Sequence, residues 1–582
     1  MHEDDIAAAV ALAPRPGREV DLAWLTGSYE SPGTFFAALC GVLDAVASTP
    51  AKSRIGERFD LYHDMIIRHL GSDRAALQIH EPGGPDGPRW RSVSFEALHA
   101  RCSVRAGSWA AQGVKQGAKL CVVLPFGLEC VVSILSAVRL GACVSWLDPG
   151  GPDYLASRLV ALGPVHVATE PFYAAVLGDA AGLMLAADHG HGHGTASPGS
   201  SSHSYLPGTR CATWFSPLRS RPHIPVPLGC DAAYLGALRD GAVVLALRPG
   251  DHLAAPGFDA LQHQPALLFA ALMMGATFVH LTAEDAIHDP SLLTAFPLRS
   301  LGLTAPVRDA LLRARTVRRP PWAHVFKNPE EPTEWESWRD LIEALELEDT
   351  PMSNVLIEAA SGGALLCSPR RTGKAQLGAL MNIAPAAGRT WCLLDFTGSG
   401  QVAVGDVGVF APLAAPAEPG KPGEPIEPRH IVMGRRRGAE YLYGGTTEAR
   451  RSGRTYPVDE VLAVLGDCPF LDGASVVAVV AGGPTVDHRF VLLGFTGAEP
   501  TERFEALCGK RIKELGRVLS TRLTPDFLPD LIELFPCHVR RKDGKIDHPW
   551  CHSQYLTGAL FRKVRSPVFR QLTALRGAVS TA

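Results

Sequence analysis

The 582-residue sequence lacks a surplus of charge of either sign. Its 56 Lys and Arg residues nearly balance its 59 Asp and Glu residues, which gives a net charge of −3. A protein that binds nucleic acid, or that docks on anionic lipid through charge, needs a basic surplus to neutralise phosphates. We therefore expect neither nucleic acid nor a polybasic membrane contact among its partners.

The sequence also lacks CxxC pairs and long apolar runs. Its 13 cysteines are scattered along a chain too long to be a small disulfide scaffold. The most apolar windows, 120–147 and 265–281, are interrupted by charge or fall short of the roughly 18 residues that span a bilayer. The first residues are acidic and carry no export signal. These features predict reduced thiols, no membrane span and a cytoplasmic location.

Short apolar runs rich in Val, Leu and Ala alternate with helix-length amphipathic stretches. The runs are 120–123, 242–246 and 476–480, and 94–112 is one of the helical stretches, with Ser94 as its expected N-cap. Alternation of this kind is typical of α/β layers with largely parallel strands. The predicted fold class is therefore α/β.

The pattern along the chain predicts three parts: an N-terminal extension over 1–55, a large domain over 56–437 and a small C-terminal domain over 438–582. Two stretches are predicted as surface loops. The first, 189–204, is rich in Gly, Ser and His, and the second, 411–429, carries six prolines. Alternating His and Gly residues do not form a metal cage, so we predict no metal site.

Several segments occur in an order and at spacings that a chance run would not produce. They are 90–149, 265–281, the VGDVGV turn at 404–409, RTYPVDEV at 454–461 and RKDGKID at 541–547. Together they resemble the adenylate-forming superfamily, which comprises acyl-CoA synthetases, fatty-acyl-AMP ligases and the adenylation domains of nonribosomal peptide synthetases. The resemblance covers roughly residues 60–560.

This resemblance implies a large N-terminal domain of layered sheets and helices, followed by a small, mobile C-terminal α/β domain. It also implies a reaction in which a carboxylate attacks the α-phosphorus of ATP and a thiol or amine then captures the acyl-adenylate. The acyl group would lie in a pocket formed around 267–277 and 355–364. Such chemistry needs a phosphate loop, an acid for Mg²⁺, an acid for the ribose and a lysine near the α-phosphate.

The counterpart of the phosphate loop departs from the family. Residues 216–224 read SPLRSRPHI, without the two glycines and the lysine that the resemblance leads us to expect. Glycine allows positive φ and close backbone approach, whereas Pro217 and Pro222 remove N–H donors. Side chains could still contact a phosphate. These candidates are Ser216, Arg219, Ser220 and Arg221.

Of the other positions at which the resemblance implies nucleotide contacts, some match the family and one does not. In the frame 354–363, Ala360 stands where the resemblance implies the Mg²⁺-binding Glu, and Glu358 lies two residues early. Three positions match the family. Asp406 is the expected ribose acid, Arg435 the arginine that follows it and Lys545 the adenylation lysine.

The sequence therefore predicts a diverged acyl-activating-enzyme homologue that acts on an acyl carboxylate or a pantetheine thioester. Its ATP-dependent adenylation is expected to be impaired or lost, so ATP and Mg²⁺ are not expected to bind in the family's way. The expected reaction is acyl transfer, hydrolysis or cyclisation, with Lys545 as electrostatic helper. The expected partners are an acyl small molecule, CoA or an acyl-carrier protein, and a pantetheine-type thiol is the expected cofactor.

Two alternatives stay open. One is a functional acyl-AMP or acyl-CoA ligase with an unorthodox ATP site. The other is a non-catalytic binding or scaffold partner in an acyl-carrier pathway. The site, and not the fold, decides among the three.

Overall fold

The computed structural model describes residues 35–37, 39–41, 49–84, 87–174, 176–177, 183–185, 201–219, 221–314, 318–331, 334–397, 402–413, 431–435, 441–446, 449–451, 454–480 and 488–563. Most of the predicted extension 1–55 and of the predicted loops 189–204 and 411–429 lies outside these ranges, as does Ser220. No described helix combines the length and hydropathy that a bilayer crossing requires.

One six-stranded sheet is parallel except at one edge. Its side chains are largely buried, as expected for parallel strands covered by helices. In spatial order its strands are Met184–Leu185, His166–Thr169, Lys119–Val123, Cys143–Leu147, Arg210–Phe215 and Pro225–Gly229.

A second sheet has thirteen strands, parallel in the middle and antiparallel toward both edges. In spatial order these are Trp391–Leu394, Val407–Pro412, Ile431–Arg435, Tyr441–Thr446, Asn382–Pro385, Gly363–Cys367, Met352–Glu358, Val325–Lys327, Leu298–Gly302, His252–Ala254, Thr277–His280, Ala75–Gly84 and Gly87–Ser94. Because Tyr441–Thr446 pairs within this sheet, we propose that the large domain extends past residue 437, to about residue 446.

Helices cover these sheets, and the predicted amphipathic helix is confirmed. It spans Phe95–Ala111, the Ser94 hydroxyl accepts the N–H of Ala97, and Leu98 and Trp109 are buried. The other α-helices of the large domain are Leu61–Met65, Leu128–Leu140, Pro152–Leu162, Pro171–Ala174, Cys230–Arg239, Gln264–Met273, Ala283–His288, Ala305–Ala314, Trp335–Leu345 and Gln376–Ala379. The 3₁₀-helices are Ile67–His69, Pro290–Thr294, Ala359–Ser361, Gly373–Ala375 and, in the small domain, Pro525–Phe527.

The interpretation of 242–246 as a strand is wrong. Residues Asp240–Val244 form a π-helical turn that continues the helix Cys230–Arg239. The Asp240 carboxylate binds the Arg239 guanidinium and accepts the N–H of Ala364 at 2.7 Å, which anchors the turn inside the core. An apolar run buried on all sides has no periodicity that distinguishes a helix from a strand.

The small domain has a three-stranded sheet of Gly473–Val480, His488–Phe495 and Leu531–Phe535. Its hairpins pair Arg450–Arg451 with Arg454–Thr455 and Arg541–Lys542 with Lys545–Ile546. Its helices are Val458–Leu465, Thr501–Arg522, His548–Leu556 and Ala559–Lys563. Side chains of both domains share one apolar core, which includes Val123, Leu147, Val461, Phe490 and Leu519.

Candidate functional site

A cavity of about 910 Å³ lies between the large domain and the small domain. Its size is that of a pocket for a substantial small molecule. The apolar part of its wall includes Tyr154, Phe215, Phe258, Tyr456 and Phe527. The polar part consists of Asp148, Arg158, Asp259, Gln262, His263, Glu284, Thr304, Asn328, Glu331, Arg451, Arg454, Thr455, Thr524 and Asp526.

The topology of the two sheets explains this position. Asp148 follows the strand Cys143–Leu147, and Asn328 follows the strand Val325–Lys327. Both strands run parallel to their neighbours. In open α/β sheets, ligands bind in the crevice outside the carboxyl ends of the strands. The cavity lies at such ends and is closed by the small domain.

The phosphate-loop counterpart borders this cavity. It connects the antiparallel strands Arg210–Phe215 and Pro225–Gly229, and Pro217 and Pro222 line the cavity wall. The buried Ser216 donates its hydroxyl to the carboxylate of Glu358.

Glu358 is fully buried and gathers the polar groups around it. Arg219 Nε lies 3.7 Å from Glu358 Oε1, and the Ser361 hydroxyl donates to Glu358 Oε2. The structure therefore brings two predicted phosphate contacts, Ser216 and Arg219, to one protein carboxylate. The strand Met352–Glu358 ends at this residue, which places it beside the loop.

The small domain contacts the same loop from the other side. The N–H of Thr455 donates to the carbonyl of Pro217 at 3.0 Å, and the Arg450 guanidinium donates to the carbonyl of Leu218. Arg450 also forms a buried ion pair with Glu330. The loop is thus held by protein groups from both domains.

The remaining predicted residues lie apart from the cavity. Arg221 is exposed. The exposed Asp406 is joined to Arg435 through the backbone, since the N–H of Arg435 donates to the Asp406 carbonyl at 2.8 Å, and the Arg435 guanidinium donates to the Val402 carbonyl. Lys545 is exposed on the hairpin Arg541–Lys542/Lys545–Ile546. None of these side chains lines the cavity.

Several acids and an arginine of the cavity wall were not predicted from the sequence. Arg454 forms ion pairs with Asp259 and with Asp526, the latter at 2.7 Å. Burial alone would lower the pKa of Arg454, but the two carboxylates raise it overall. Removal from bulk solvent, together with the nearby Asp259 charge, raises the pKa of Asp148 to about 6. The sequence signal that could have identified Asp148 as a site residue is its position directly after an apolar run.

Two further wall residues have shifted pKa values. Burial raises the pKa of Glu331 to about 7, against the opposing charge of the buried Lys327, and Glu331 accepts the N–H of Ala305 at 2.8 Å. Burial lowers the pKa of His263 to about 4, so its imidazole is neutral at pH 7. The wall therefore combines a neutral imidazole with a carboxyl group that titrates near neutrality.

The acyl pocket expected around 267–277 and 355–364 is nearly closed. The gap there holds about 10 Å³, bounded by Trp214, Phe269 and Ala359 among others. A gap of that size accommodates roughly one water molecule. A Cβ added to Gly236 would lie 1.8 Å from the carbonyl oxygen of Gly362, which shows how closely the helix approaches the strand end.

Among the described residues, no cluster of three or more His, Cys, Asp or Glu side chains could hold a metal ion. The frame 354–363 carries Ala359 and Ala360 beside Glu358, whose oxygens already bind Ser216 and Ser361. These residues do not fit a Mg²⁺ site of the kind that the resemblance implies.

No protein-family model matches the chain. Solved structures match most of the chain, and two of them are the following. One is an artificially fused adenylation–PCP di-domain NRPS, NpsA-ThdA, from Klebsiella oxytoca, with a TM-score of 0.62 and 12% identity over 81% of this chain and 85% of that one. The other is the amide bond synthetase McbA from Marinactinospora thermotolerans, with a TM-score of 0.63 and 14% identity over 85% of this chain and 100% of that one. The chain therefore has the fold that the resemblance to the adenylate-forming superfamily implies.

A curated protein is also similar in sequence. The acetyl-coenzyme A synthetase of Alkalilimnicola ehrlichii is 33% identical over 107 residues, which are 18% of this chain and 16% of that enzyme. The match therefore spans about one sixth of the relative. The predicted α/β fold is confirmed, and these similarities support the predicted relationship to the adenylate-forming superfamily.

Proposed function

We propose that this member of the adenylate-forming superfamily performs acyl-group chemistry in the interdomain cavity without adenylation by ATP. One observation carries the proposal. The groups of the phosphate-loop counterpart are already bonded to protein, through Glu358 on one side and through Arg450 and Thr455 on the other.

The electrostatics of the loop support this view. A triphosphate needs N–H donors and cations directed at it, but Pro217 and Pro222 have no N–H. The charge of Arg219 is offset by Glu358, which is fully buried. Like charges in a poorly solvated site repel strongly. A phosphate that entered this loop would therefore lie near the Glu358 carboxylate, which repels it, and not near a set of N–H donors.

The cavity supports the acyl part of the proposal. Its volume and aromatic wall suit an apolar acyl chain, and convergent polar groups such as His263 and Asn328 suit a carbonyl. The similarity to an acetyl-coenzyme A synthetase and to an adenylation–PCP di-domain favours CoA or a carrier protein as the thioester partner. The expected reaction is transfer, hydrolysis or cyclisation of an acyl thioester.

In this proposal the cavity itself supplies the positive charge that stabilises a developing oxyanion, through the guanidinium of Arg454, which also pairs with Asp259 and Asp526. The role predicted for Lys545 requires its hairpin to approach the cavity, which it does not do in the described orientation of the domains. That role stays a prediction. The ribose contact predicted for Asp406 and Arg435 likewise stays a prediction.

Titration of the protein with ATP and Mg²⁺ by calorimetry tests the loss of adenylation. We expect no binding tighter than millimolar, which corresponds to about 4 kcal/mol. Micromolar binding that Arg219→Ala abolishes would instead support a ligase with an unorthodox ATP site. The Arg489→Ala variant, at an exposed arginine with no predicted role in the site, is the matched control.

Incubation with acyl-pantetheine thioesters, followed by mass spectrometry, tests the chemistry. We expect ATP-independent consumption of the thioester. Ala260→Trp, which fills the cavity, should abolish this consumption, whereas Ala110→Trp on an exposed helix face should not. Intact thioester at high protein concentration would favour a non-catalytic binding partner.

A further inference from the structure

A second cavity, of about 160 Å³, lies within the large domain and shares no described lining residue with the interdomain cavity. It lies at the amino ends of the strands Lys119–Val123, Cys143–Leu147 and Arg210–Phe215, whose first residues all line it. The interdomain cavity lies at the carboxyl ends, where Asp148 and Phe215 line its wall. The second cavity is therefore separate and lies at the opposite edge of the same sheet.

The charged side chains of this second cavity are both cationic. Lys119 and Arg210 line it, and no Asp or Glu is among its described lining residues. Lys119 Nζ donates to the carbonyl of Leu162 at 3.0 Å, whereas no hydrogen bond or ion pair joins the Arg210 guanidinium to another described residue. Both side chains are exposed, so they mark the side on which the cavity opens to solvent. Two cations that no carboxylate neutralises attract an anion to this opening.

Both cations act on one residue of the wall. Lys119 pairs with Cys143 across two parallel strands, and the strand Arg210–Phe215 lies on the other side of Cys143. Burial raises the pKa of the Cys143 thiol. Its hydrogen bond with Thr213, at 3.3 Å, opposes that shift, and so do the charges of Arg210 and Lys119. The two cations therefore flank one point of the cavity, where an oxyanion can accept from an ammonium and a guanidinium together.

An unpartnered hydroxyl lies deeper in the same cavity. Ser145 lines the cavity and is only 5% exposed, and its hydroxyl has no hydrogen-bond partner in the part of the chain that the structure describes. The hydroxyl oxygen is not sealed inside the protein but keeps accessible surface. Ser145 lies two residues beyond Cys143 on the same face of the strand, which is about 6–7 Å further along. Because buried hydroxyls are normally bonded, this group needs a partner from outside the chain.

Much of the remaining wall is apolar. Leu162 and Pro164 line the cavity at the end of the helix Pro152–Leu162, and Pro225 and Pro227 line it from the edge strand of the sheet. The volume is more than ten times that needed for one water molecule, so an organic body fits beside the oxygens of an anion. A bare inorganic ion would leave this apolar surface in contact with water.

We propose that this cavity is a second ligand site, which binds a small organic oxyanion. The oxyanion, a carboxylate or a phosphate ester, accepts hydrogen bonds from Lys119 and Arg210. The apolar body of the ligand packs against Leu162 and Pro225, and a polar atom at its far end bonds to the Ser145 hydroxyl. The site goes beyond the proposed acyl chemistry and does not depend on it.

Calorimetry with four small probes tests the site: benzoate, phenyl phosphate, benzyl alcohol and inorganic phosphate. We expect at least one of the two organic anions to bind tenfold or more tightly than benzyl alcohol, and the tighter anion identifies the preferred oxyanion. An alcohol that binds as tightly as both anions would overturn the proposal, because the cations would then contribute nothing. Inorganic phosphate that binds as tightly as the better organic anion would also overturn it, because the organic body would then have no effect.

Variants locate the site. Arg210→Gln and Lys119→Gln should each weaken binding of the better organic anion at least fivefold, and both positions are exposed, so the variants should fold. Arg489→Gln, at an exposed arginine elsewhere, should leave the affinity unchanged, and so should Ala260→Trp, which fills the interdomain cavity. Unaltered affinity in both cation variants would refute the assignment. If Ala260→Trp then abolishes binding, the anion lies in the interdomain cavity.

The contact with Ser145 is tested with 4-hydroxybenzoate, which adds a hydroxyl group opposite the carboxylate of benzoate. We expect the unmodified protein to bind it several-fold more tightly than benzoate. Ser145→Ala should remove this difference and keep the affinity for benzoate within twofold. Equal affinities of the two carboxylates in the unmodified protein, or a difference that survives in Ser145→Ala, would refute the placement of the ligand. Anion binding by a protein that consumes no acyl-pantetheine would keep this site and remove the proposed function.

Discussion

The ion pair between Arg158 and Glu460 joins the two domains at the cavity wall, which Arg158 lines. Arg158 Nη1 lies 2.7 Å from Glu460 Oε2, and Nη2 lies 3.2 Å from Oε1. The guanidinium also stacks on the ring of Tyr154, 3.9 Å from its centroid. The two side chains are 3% and 9% exposed, so both charges of the pair are largely removed from bulk solvent.

The Arg158→Met substitution keeps most of the apolar contact but leaves the buried Glu460 carboxylate with only His223 Nδ1, 3.8 Å from Oε1, in place of the guanidinium. Removing one partner of a buried pair destabilises by about 3–5 kcal/mol, whereas replacing both with apolar groups is often neutral. We therefore expect Arg158→Met to open the small domain locally, and the double variant Arg158→Met/Glu460→Met to recover most of the loss.

Native-state hydrogen exchange on peptides from Val458–Leu465 measures this effect, because a chain with two domains need not unfold in one step. A loss of about 3 kcal/mol corresponds to exchange faster by roughly 100-fold. The exposed pair Arg101–Glu129 supplies the control, and Arg101→Met should change stability by less than about 1 kcal/mol. Exchange within threefold of the unmodified protein, or a double variant as open as the single one, would refute the reasoning.

Three further predictions concern the core, the cavity and the hairpin. Gly236→Ala would place a Cβ 1.8 Å from the Gly362 carbonyl oxygen and should sharply lower Tm or soluble yield, whereas Gly107→Ala, with open space around it, should be neutral or stabilising by up to about 1 kcal/mol. The pKa of Asp148 rises from its ordinary 3.8 to about 6 in the folded protein, so its stabilising contribution is present below pH 4 and is lost as the pH rises through 6. Asp148→Asn should therefore have a higher Tm than the unmodified protein at pH 7 and the same Tm near pH 3.5, and an equal difference at both pH values would contradict this. Lys545→Ala should leave Tm unchanged and should keep the rate of thioester turnover within twofold of that of the unmodified protein. A tenfold fall in that rate would show that the hairpin reaches the cavity.

Local signals in the sequence predicted much of the fold. Ser94 marks a helix start through its own hydroxyl, and the run at 120–123 is a strand at Lys119–Val123. The strand prediction for 242–246 was wrong because the helical turn there depends on Asp240, whose partner Ala364 lies 124 residues away. A contact of that kind leaves no periodic trace in the sequence.

The candidate site was predictable only in part. Ser216 and Arg219 were identified from the loop, and the structure places both beside Glu358. In the sequence, Glu358 lies two residues before the position at which the resemblance implies the Mg²⁺-binding Glu. The cavity itself was not predictable, because its wall combines residues such as Asp148 and Asp526 that are far apart in the chain. The pairing of Arg454 with Asp259 depends on how the domains pack, which no local pattern encodes.

The position of Arg450 has a consequence for any attempt to build a phosphate site in this loop. One guanidinium joins the loop, through the carbonyl of Leu218, to Glu330, which lies in the turn after the strand Val325–Lys327. Substituting glycine at 218 and 221, the positions that correspond to the two expected glycines, would therefore not by itself open the loop to a phosphate, since Arg450 would still bind the carbonyl of residue 218. Opening the loop requires coordinated changes in two domains.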